Sequence, residues 1–254
     1  MSFFAVSIGW LATVMGAGQR LVIWPLVTLA PSRRTATMAR WFHFNASAVM
    51  SIARVVAGVR VRVRGRIAPG ACVVVMNHQS VLDVPLLYVL GADPLPVIPT
   101  RDRYRRGIPG ISPLLRLAKF PLITQKRETA QQDLAAIAQA AEAVARGEAS
   151  IAIYPEGHRT RDGEIGPFMP RGLTSILARA KRPVYCVVAD GMWGARTMAD
   201  AARQMAGAHV EAVVLGPFQP PEREEELGAF IEQLRGRMVA ALADIRSGND
   251  PLAE

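Results

Sequence analysis

The sequence is poor in cysteine and histidine, and it lacks repeats, low-complexity tracts and nucleic-acid fingerprints; each absence narrows what it can be. Two cysteines cannot build the multi-bridge framework of small secreted domains. Cys72 and Cys186 each lie inside an apolar, strand-like run. They read as reduced core residues, which fits a cytosol-facing domain. The four histidines, His43, His78, His158 and His209, fall in four separate segments without ligand spacing, so no metal site is expected. The 30 lysines and arginines are scattered, with neither zinc-finger spacing nor an aromatic-rich ribonucleoprotein motif, which argues against a nucleic-acid partner.

What the chain does have is apolar residues and positive charge. Half of its 254 residues are hydrophobic and mean hydropathy is +0.18, yet the formal charge is +9 and the pI about 10.5. The apolar residues must therefore be segregated from a basic surface, a combination suited to an anionic membrane. Residues 3–18 carry no charge, and after Gln19 and Arg20 the apolar character resumes from Leu21 to Ala30. A spanning helix needs about 20 apolar residues, so a span requires Arg20 to reach an interface or a protein-lined cavity. Pro25 argues against one straight helix over the whole stretch. The alternatives are a helix pair dipping into one leaflet and a buried helix of a soluble domain. A basic n-region is missing, which disfavours a cleaved signal peptide. Arg33, Arg34 and Arg40 follow the apolar part, and the positive-inside rule then places the rest of the chain on the cytoplasmic side of the cytoplasmic membrane.

From about residue 59 the pattern changes to short apolar bursts separated by Gly, Pro and charged turns. Seven bursts have strand length and β-branched content, at 59–65, 72–77, 95–100, 120–124, 150–155, 183–189 and 210–216. The first, VRVRVRG, alternates and reads as an edge strand; the others are continuous, as expected where helices cover both faces. Between them the clearest helical stretch runs from about Thr129 to Arg146, with Leu134, Ile137, Ala141 and Val144 on one face and Gly147 as its stop. A last amphipathic helix opens on the acidic run Glu222, Glu224, Glu225 and Glu226, which favours a helix dipole, and reaches about Ile245. The expected fold is α/β, a central sheet of about seven strands flanked by helices, preceded by an apolar membrane-associated helical segment. The chain divides accordingly into membrane-associated helices over 1–58, an α/β domain over 59–217 and the amphipathic helix over 218–254.

Two polar segments at strand ends carry the chemistry. In VVVMNHQSVLDVPLL, residues 73–87, a buried strand ends at Met76 or Asn77 and a helical pattern begins near Ser80, which leaves His78 in the turn. Residues i and i+5 of one helix lie about 140° apart, so His78 meets Asp83 only if it precedes the helix. A carboxylate on one imidazole nitrogen fixes the tautomer and leaves the other nitrogen free to take a proton from a hydroxyl. The bland alternative makes Asn77 and Asp83 turn and cap residues with His78 merely exposed. The second segment, EGHRTRDGEIGPFMPRG at 156–172, again follows a strand. Arg159 and Arg161, beside glycines, can hold a phosphate by bidentate hydrogen bonds, and Glu156 can orient such an arginine or bond a substrate hydroxyl. A solvated loop closed by the Asp162-Gly163 turn is the alternative. Ligands of open α/β sheets gather at strand C-termini, and both segments are so placed.

With these residues in view the sequence resembles the glycerophospholipid acyltransferases, and among them the lysophosphatidic acid acyltransferases. NHQSVLD matches the family's NHxxxxD block and PEGHRT its PEGTRS block, and the resemblance spans about residues 59–190. It implies that His78 is the base, Asp83 its partner, and that Glu156, Gly157 and Arg159 bind the acceptor's phosphate. A further basic block corresponds in outline to residues 100–127, with Arg101 as its first basic residue and either Lys126 or Arg127 as its last. This sequence departs from the family at His158, where threonine is usual, at Thr160, where serine is usual, and at Cys186, where proline is usual.

The implied reaction moves a fatty acyl group from acyl-CoA or acyl-acyl-carrier-protein, as co-substrate and without a cofactor, to the free hydroxyl of 1-acyl-glycerol-3-phosphate, making phosphatidic acid for phospholipid biosynthesis. The expected partners are membrane lipids, the lysolipid acceptor and the acyl donor. Ser80 and Cys72 are the nearest side chains to serve as a covalent nucleophile, and neither is supplied with its own base. Two other readings stand beside this one: acylation of a different lysolipid, such as a lyso-ornithine lipid, and a non-catalytic lipid-binding protein of the same fold.

Overall fold

The computed structural model describes residues 3–253; the first two residues and the last, which the divisions 1–58 and 218–254 include, lie outside the described residues. Helix α1 (Phe3–Gly18) continues through a π-helical turn (Gln19–Ile23) into α2 (Trp24–Leu29). Pro25 is therefore accommodated within one continuous helical run instead of ending it, because the widened turn just before it changes the hydrogen-bond partners where proline has no N–H to give. After a turn at Pro31–Arg33 the chain returns as α3 (Arg34–Ala57), packed against α1 and α2. One face of the run is buried at Phe4, Met15, Gln19, Ile23 and Val27, at helical spacing. The opposite face leaves Phe3, Trp10, Leu21 and Leu29 more than 70% exposed.

The α/β domain is built on six strands in the order β1-β8-β7-β2-β6-β3: β1 (Arg60–Arg64), β2 (Val73–Met76), β3 (Pro96–Val97), β6 (Ser150–Ile153), β7 (Val184–Asp190) and β8 (His209–Phe218). β1 lies at the edge, as its alternation implies, and pairs in parallel with β8, while β8 runs antiparallel to β7. The burst at 95–100 is split between β3 and β4 (Thr100–Arg101), and the burst at 120–124 supplies β5 (Leu122–Ile123). β4 and β5 pair with each other as a separate two-stranded sheet, so seven strands in one sheet become six and two.

Alternation along β2 shows why its run is continuously apolar. Val74 and Met76 enter the core beneath α3 and α4 (Asp83–Val89), and Val73 and Val75 enter the one beneath α6 (Ala130–Ala145), α7 (Pro170–Ala180) and α9 (Leu227–Ser247). Fully burying one such side chain contributes about 1.5–3 kcal/mol, so every position of the strand favours this central place. α9 begins later than its acidic run, which forms a short 3₁₀ turn at Glu224–Glu226 ahead of it. Two short helices, α5 (Ile111–Leu117) and α8 (Met198–Gln204), complete the fold. The segment leading into α5 is tied to the N-terminal helices: Gln19 Nε2 donates to the Gly110 carbonyl at 2.7 Å, and Arg34 donates to the Leu117 carbonyl at 2.7 Å.

Candidate active site

β2 and β6 are parallel neighbours with Val75 opposite Ile153. That register carries His78 and Glu156 out of the sheet side by side, each three residues beyond its partner in the pair. The two segments then lock together through the backbone of His78. Its N–H donates to Glu156 Oε1 at 2.9 Å, and its carbonyl accepts from the Thr160 N–H at 2.8 Å. Glu156 Oε2 accepts from the Gly166 N–H at 3.1 Å. The buried Glu156 carboxylate thus stitches the histidine turn to the glycine-rich loop. Burial raises its pKa above the ordinary carboxylate value, against the two backbone donors, which pull it down.

The imidazole of His78 reaches Asp83 at the start of α4, with Nδ1 to Oδ2 at 2.7 Å. The helix begins at Asp83 and not near Ser80, so His78 lies well before it and the two side chains are free to meet. The same carboxylate oxygen accepts the N–H groups of Gln79 and Ser80, each at 2.7 Å. A carboxylate collecting donors accepts also from the imidazole, so Nδ1 carries the hydrogen and Nε2 keeps its lone pair. Asp83 is fully buried, while the His78 side chain retains 15% exposure. The arrangement can orient an imidazole and take up a proton at Nε2. Asn77, meanwhile, uses its side-chain amide to pair with both backbone groups of Ala189 and so extends the β2–β7 ladder.

The phosphate-binding candidates lie around the next loop. Gly157 has φ of +72°, a left-handed conformation that favours glycine, while a Cβ there would meet only the movable end of the exposed Met169 side chain. Arg101 from β4 approaches the Gly157 carbonyl at 3.4 Å, and Gln125, just beyond β5, approaches it at 3.5 Å. The small β4–β5 sheet is thereby seated against the glycine loop. Lys126 and Arg127 are both exposed beside it. Arg159 donates from Nη1 to the Arg196 carbonyl at 2.7 Å, while its Nε is buried without a partner among the described residues. Glu156 does not hydrogen-bond any arginine; its oxygens serve the backbone. Tyr104 marks where the positive charge converges. Burial pushes its phenol up, but the Arg103 hydrogen bond and the charges of Arg103, Arg159 and Arg101 outweigh that and hold it below its ordinary value.

A profile of the Acyltransferase family matches residues 59–190. The chain belongs to that family. Among its relatives are the 1-acyl-sn-glycerol-3-phosphate acyltransferase BAT2, chloroplastic, of Brassica napus, 32% identical over 47% of this chain and 33% of that protein, and the 1-acyl-sn-glycerol-3-phosphate acyltransferase beta of Homo sapiens, 29% identical over 46% of this chain and 40% of that protein. The matched stretch thus covers well under half the length of either relative. The crystal structure of the 1-acyl-sn-glycerophosphate (LPA) acyltransferase PlsC of Thermotoga maritima superimposes with a TM-score of 0.71 at 20% identity, covering 94% of this chain and 95% of that one. That similarity establishes the shared fold, a helix-flanked central sheet with an apolar helical N-terminus.

The departures of this acyltransferase-family chain are readily accommodated. Thr160 supplies a hydroxyl that bonds Asp162 and receives the Gly163 N–H, which closes the loop as a serine hydroxyl can. His158 is exposed, and Cys186 is a buried strand residue whose thiol burial pushes up to about 12. Two sets of residues escaped the sequence reading. Tyr154 stacks on His78, and the only sequence signal was an aromatic residue directly after β6. Gln79 bonds the Gly163 carbonyl and Asp190, and Arg246 of α9 bonds the same two groups. Nothing local in the sequence links Arg246 to residues so distant.

Proposed function

We propose that this chain transfers a fatty acyl group from a thioester, acyl-CoA or acyl-acyl-carrier-protein, to the free hydroxyl of 1-acyl-glycerol-3-phosphate, yielding phosphatidic acid. The observation that carries this reading is the His78 Nδ1 to Asp83 Oδ2 contact of 2.7 Å at the end of the central strand, with Nε2 left to act. His78 Nε2 takes the acceptor's hydroxyl proton as its oxygen attacks the thioester carbonyl. The new C–O bond forms, the C–S bond breaks, and the proton passes to the departing thiolate. A covalent enzyme intermediate is not needed. Ser80 Oγ is committed to the Ala195 carbonyl at 2.9 Å, and Cys72 is buried with its thiol pushed up by desolvation. Purified protein offered several lysolipids with each donor type, with products identified by mass spectrometry, tests the assignment. No acylated product from any pair would sink it.

Arg101, Gly157 and Arg159 form the acceptor's phosphate site in this reading, with Glu156 holding the loop in shape. Arg159→Lys keeps the charge but loses the planar fork that pairs with two phosphate oxygens. A charge-assisted hydrogen bond is worth about 1.5–3 kcal/mol, so the lysolipid KM should rise about tenfold or more while the donor's KM changes little. Equal losses for acceptors with and without a phosphate monoester would place Arg159 on the donor or in a structural role.

The exposed apolar face of α1 and α2 supports seating on a membrane, and Arg33, Arg34 and Arg40 after it favour the cytoplasmic side of the cytoplasmic membrane. A 24-residue window, Val6–Leu29, is long and apolar enough to cross a bilayer, with only 17% of it buried in the fold. Removing residues 1–30 should release the protein from membranes or leave it aggregated, because the partner faces of α3 and α5 are then uncovered. A truncated chain as soluble as a full-length chain that needs no detergent would refute membrane seating.

A further inference from the structure

The His78–Asp83 pair has a third member in contact with it. The Tyr154 ring lies against the His78 imidazole with centroids 4.3 Å apart and planes inclined at 27°. Its hydroxyl is buried and has no hydrogen-bond partner among the described residues. Asp83 presents the complementary deficit, since Oδ2 takes three donors and Oδ1 is buried with none. An isolated buried hydroxyl and an isolated carboxylate oxygen are each costly, and one bridging water that accepts from the first and donates to the second removes both penalties. Phenylalanine would give the same stack without the cost, so the hydroxyl calls for an explanation.

We propose that Tyr154 is a positioning residue for the pair: its ring fixes the plane of the His78 imidazole, and its hydroxyl donates to a bridging water that donates in turn to Asp83 Oδ1. The phenol is well suited to donate. Burial first, then the nearby negative charge of Asp83, hold its pKa well above the ordinary value, so it stays protonated. The side chain acts through Asp83 and His78 and takes no part in proton transfer itself. A donor on Oδ1 holds the carboxylate from the side opposite the Gln79 and Ser80 amides, and so prevents it from rotating away from Nδ1. This inference rests on His78 being the base.

The test uses the full-length protein carrying Tyr154→Phe or Tyr154→Leu, with His78→Ala as reference. Tyr154→Phe should lower kcat about tenfold, the scale of one hydrogen bond to a charged group, with both KM values unchanged. It should also shift the ¹⁵N resonances of the His78 ring, a signature that loss of packing elsewhere would not produce. Tyr154→Leu, which removes the stack as well, should lose more. Wild-type kcat with raised thermal stability in Tyr154→Phe would overturn the proposal, because that is the result for a hydroxyl with no partner. A raised KM with an unchanged kcat, or unmoved His78 resonances, would overturn it too. If His78→Ala is inactive while Tyr154→Phe matches wild type, this inference alone fails; if His78→Ala retains turnover, the base assignment fails and takes the inference with it.

Discussion

His78→Ala is expected to lower acyl transfer by about 10²- to 10⁴-fold, the usual consequence of removing a general base. The fold should survive. The imidazole is 15% exposed and gives up one stack and one hydrogen bond, together about 1–3 kcal/mol. Neither core depends on it, and Glu156 and Thr160 bind its backbone, which alanine keeps. Asp83 still accepts the Gln79 and Ser80 amides, so the turn retains its shape. The check is kcat with the best donor and acceptor, alongside a thermal melt and lysolipid binding. Near-normal turnover would remove His78 from the mechanism, and a collapsed melt would mean that the lost rate reports on folding.

What the sequence made legible, and what it hid, follows from how far apart the cooperating residues lie. β2 and β6 were readable because central strands bury both faces, which forces VVVM and SIAI to be apolar at every position. β1 was readable as an edge because its arginines alternate with valines, and the structure leaves even Val61 and Val63 partly exposed. In the region 95–124 the bursts were readable as strands but their pairing was not, because the strands are two residues long and which sheet they join is decided by neighbours elsewhere in the chain.

The His78–Asp83 contact was legible because it is local, a matter of one turn. That Glu156 clasps the His78 backbone was not, because it depends on β2 and β6 being neighbours in a particular register. Glu156 was expected at the acceptor's phosphate, yet it is buried with both oxygens occupied by backbone donors. The PEGHRT block therefore shapes the histidine turn as well as offering Arg159. The Gln79–Asp190–Arg246 cluster hid for the same reason, since it joins three elements that only the folded sheet and α9 bring together.

Asp83→Asn should be nearly as damaging as loss of the base, though for a different reason. Only one asparagine orientation fits: its oxygen must remain where Oδ2 is, since an amide nitrogen there would face the Gln79 and Ser80 N–H groups, donor against donor. The oxygen can then still accept from His78 Nδ1, so tautomer and ring orientation persist and what disappears is the negative charge. That charge faces the imidazolium that develops as the proton is taken, so its loss should lower kcat by about 10²- to 10³-fold, within the usual scale of general-base catalysis, with lysolipid binding preserved. Asp83→Ala should behave differently. It leaves the Gln79 and Ser80 amides without their acceptor inside the fold, so it should lower the melting temperature as well as the rate. Measuring kcat and thermal stability for both variants separates charge from architecture. Activity in Asp83→Asn within about fivefold of wild type, less than the roughly 1.4 kcal/mol that a tenfold change requires, would show that His78 works without a charged partner.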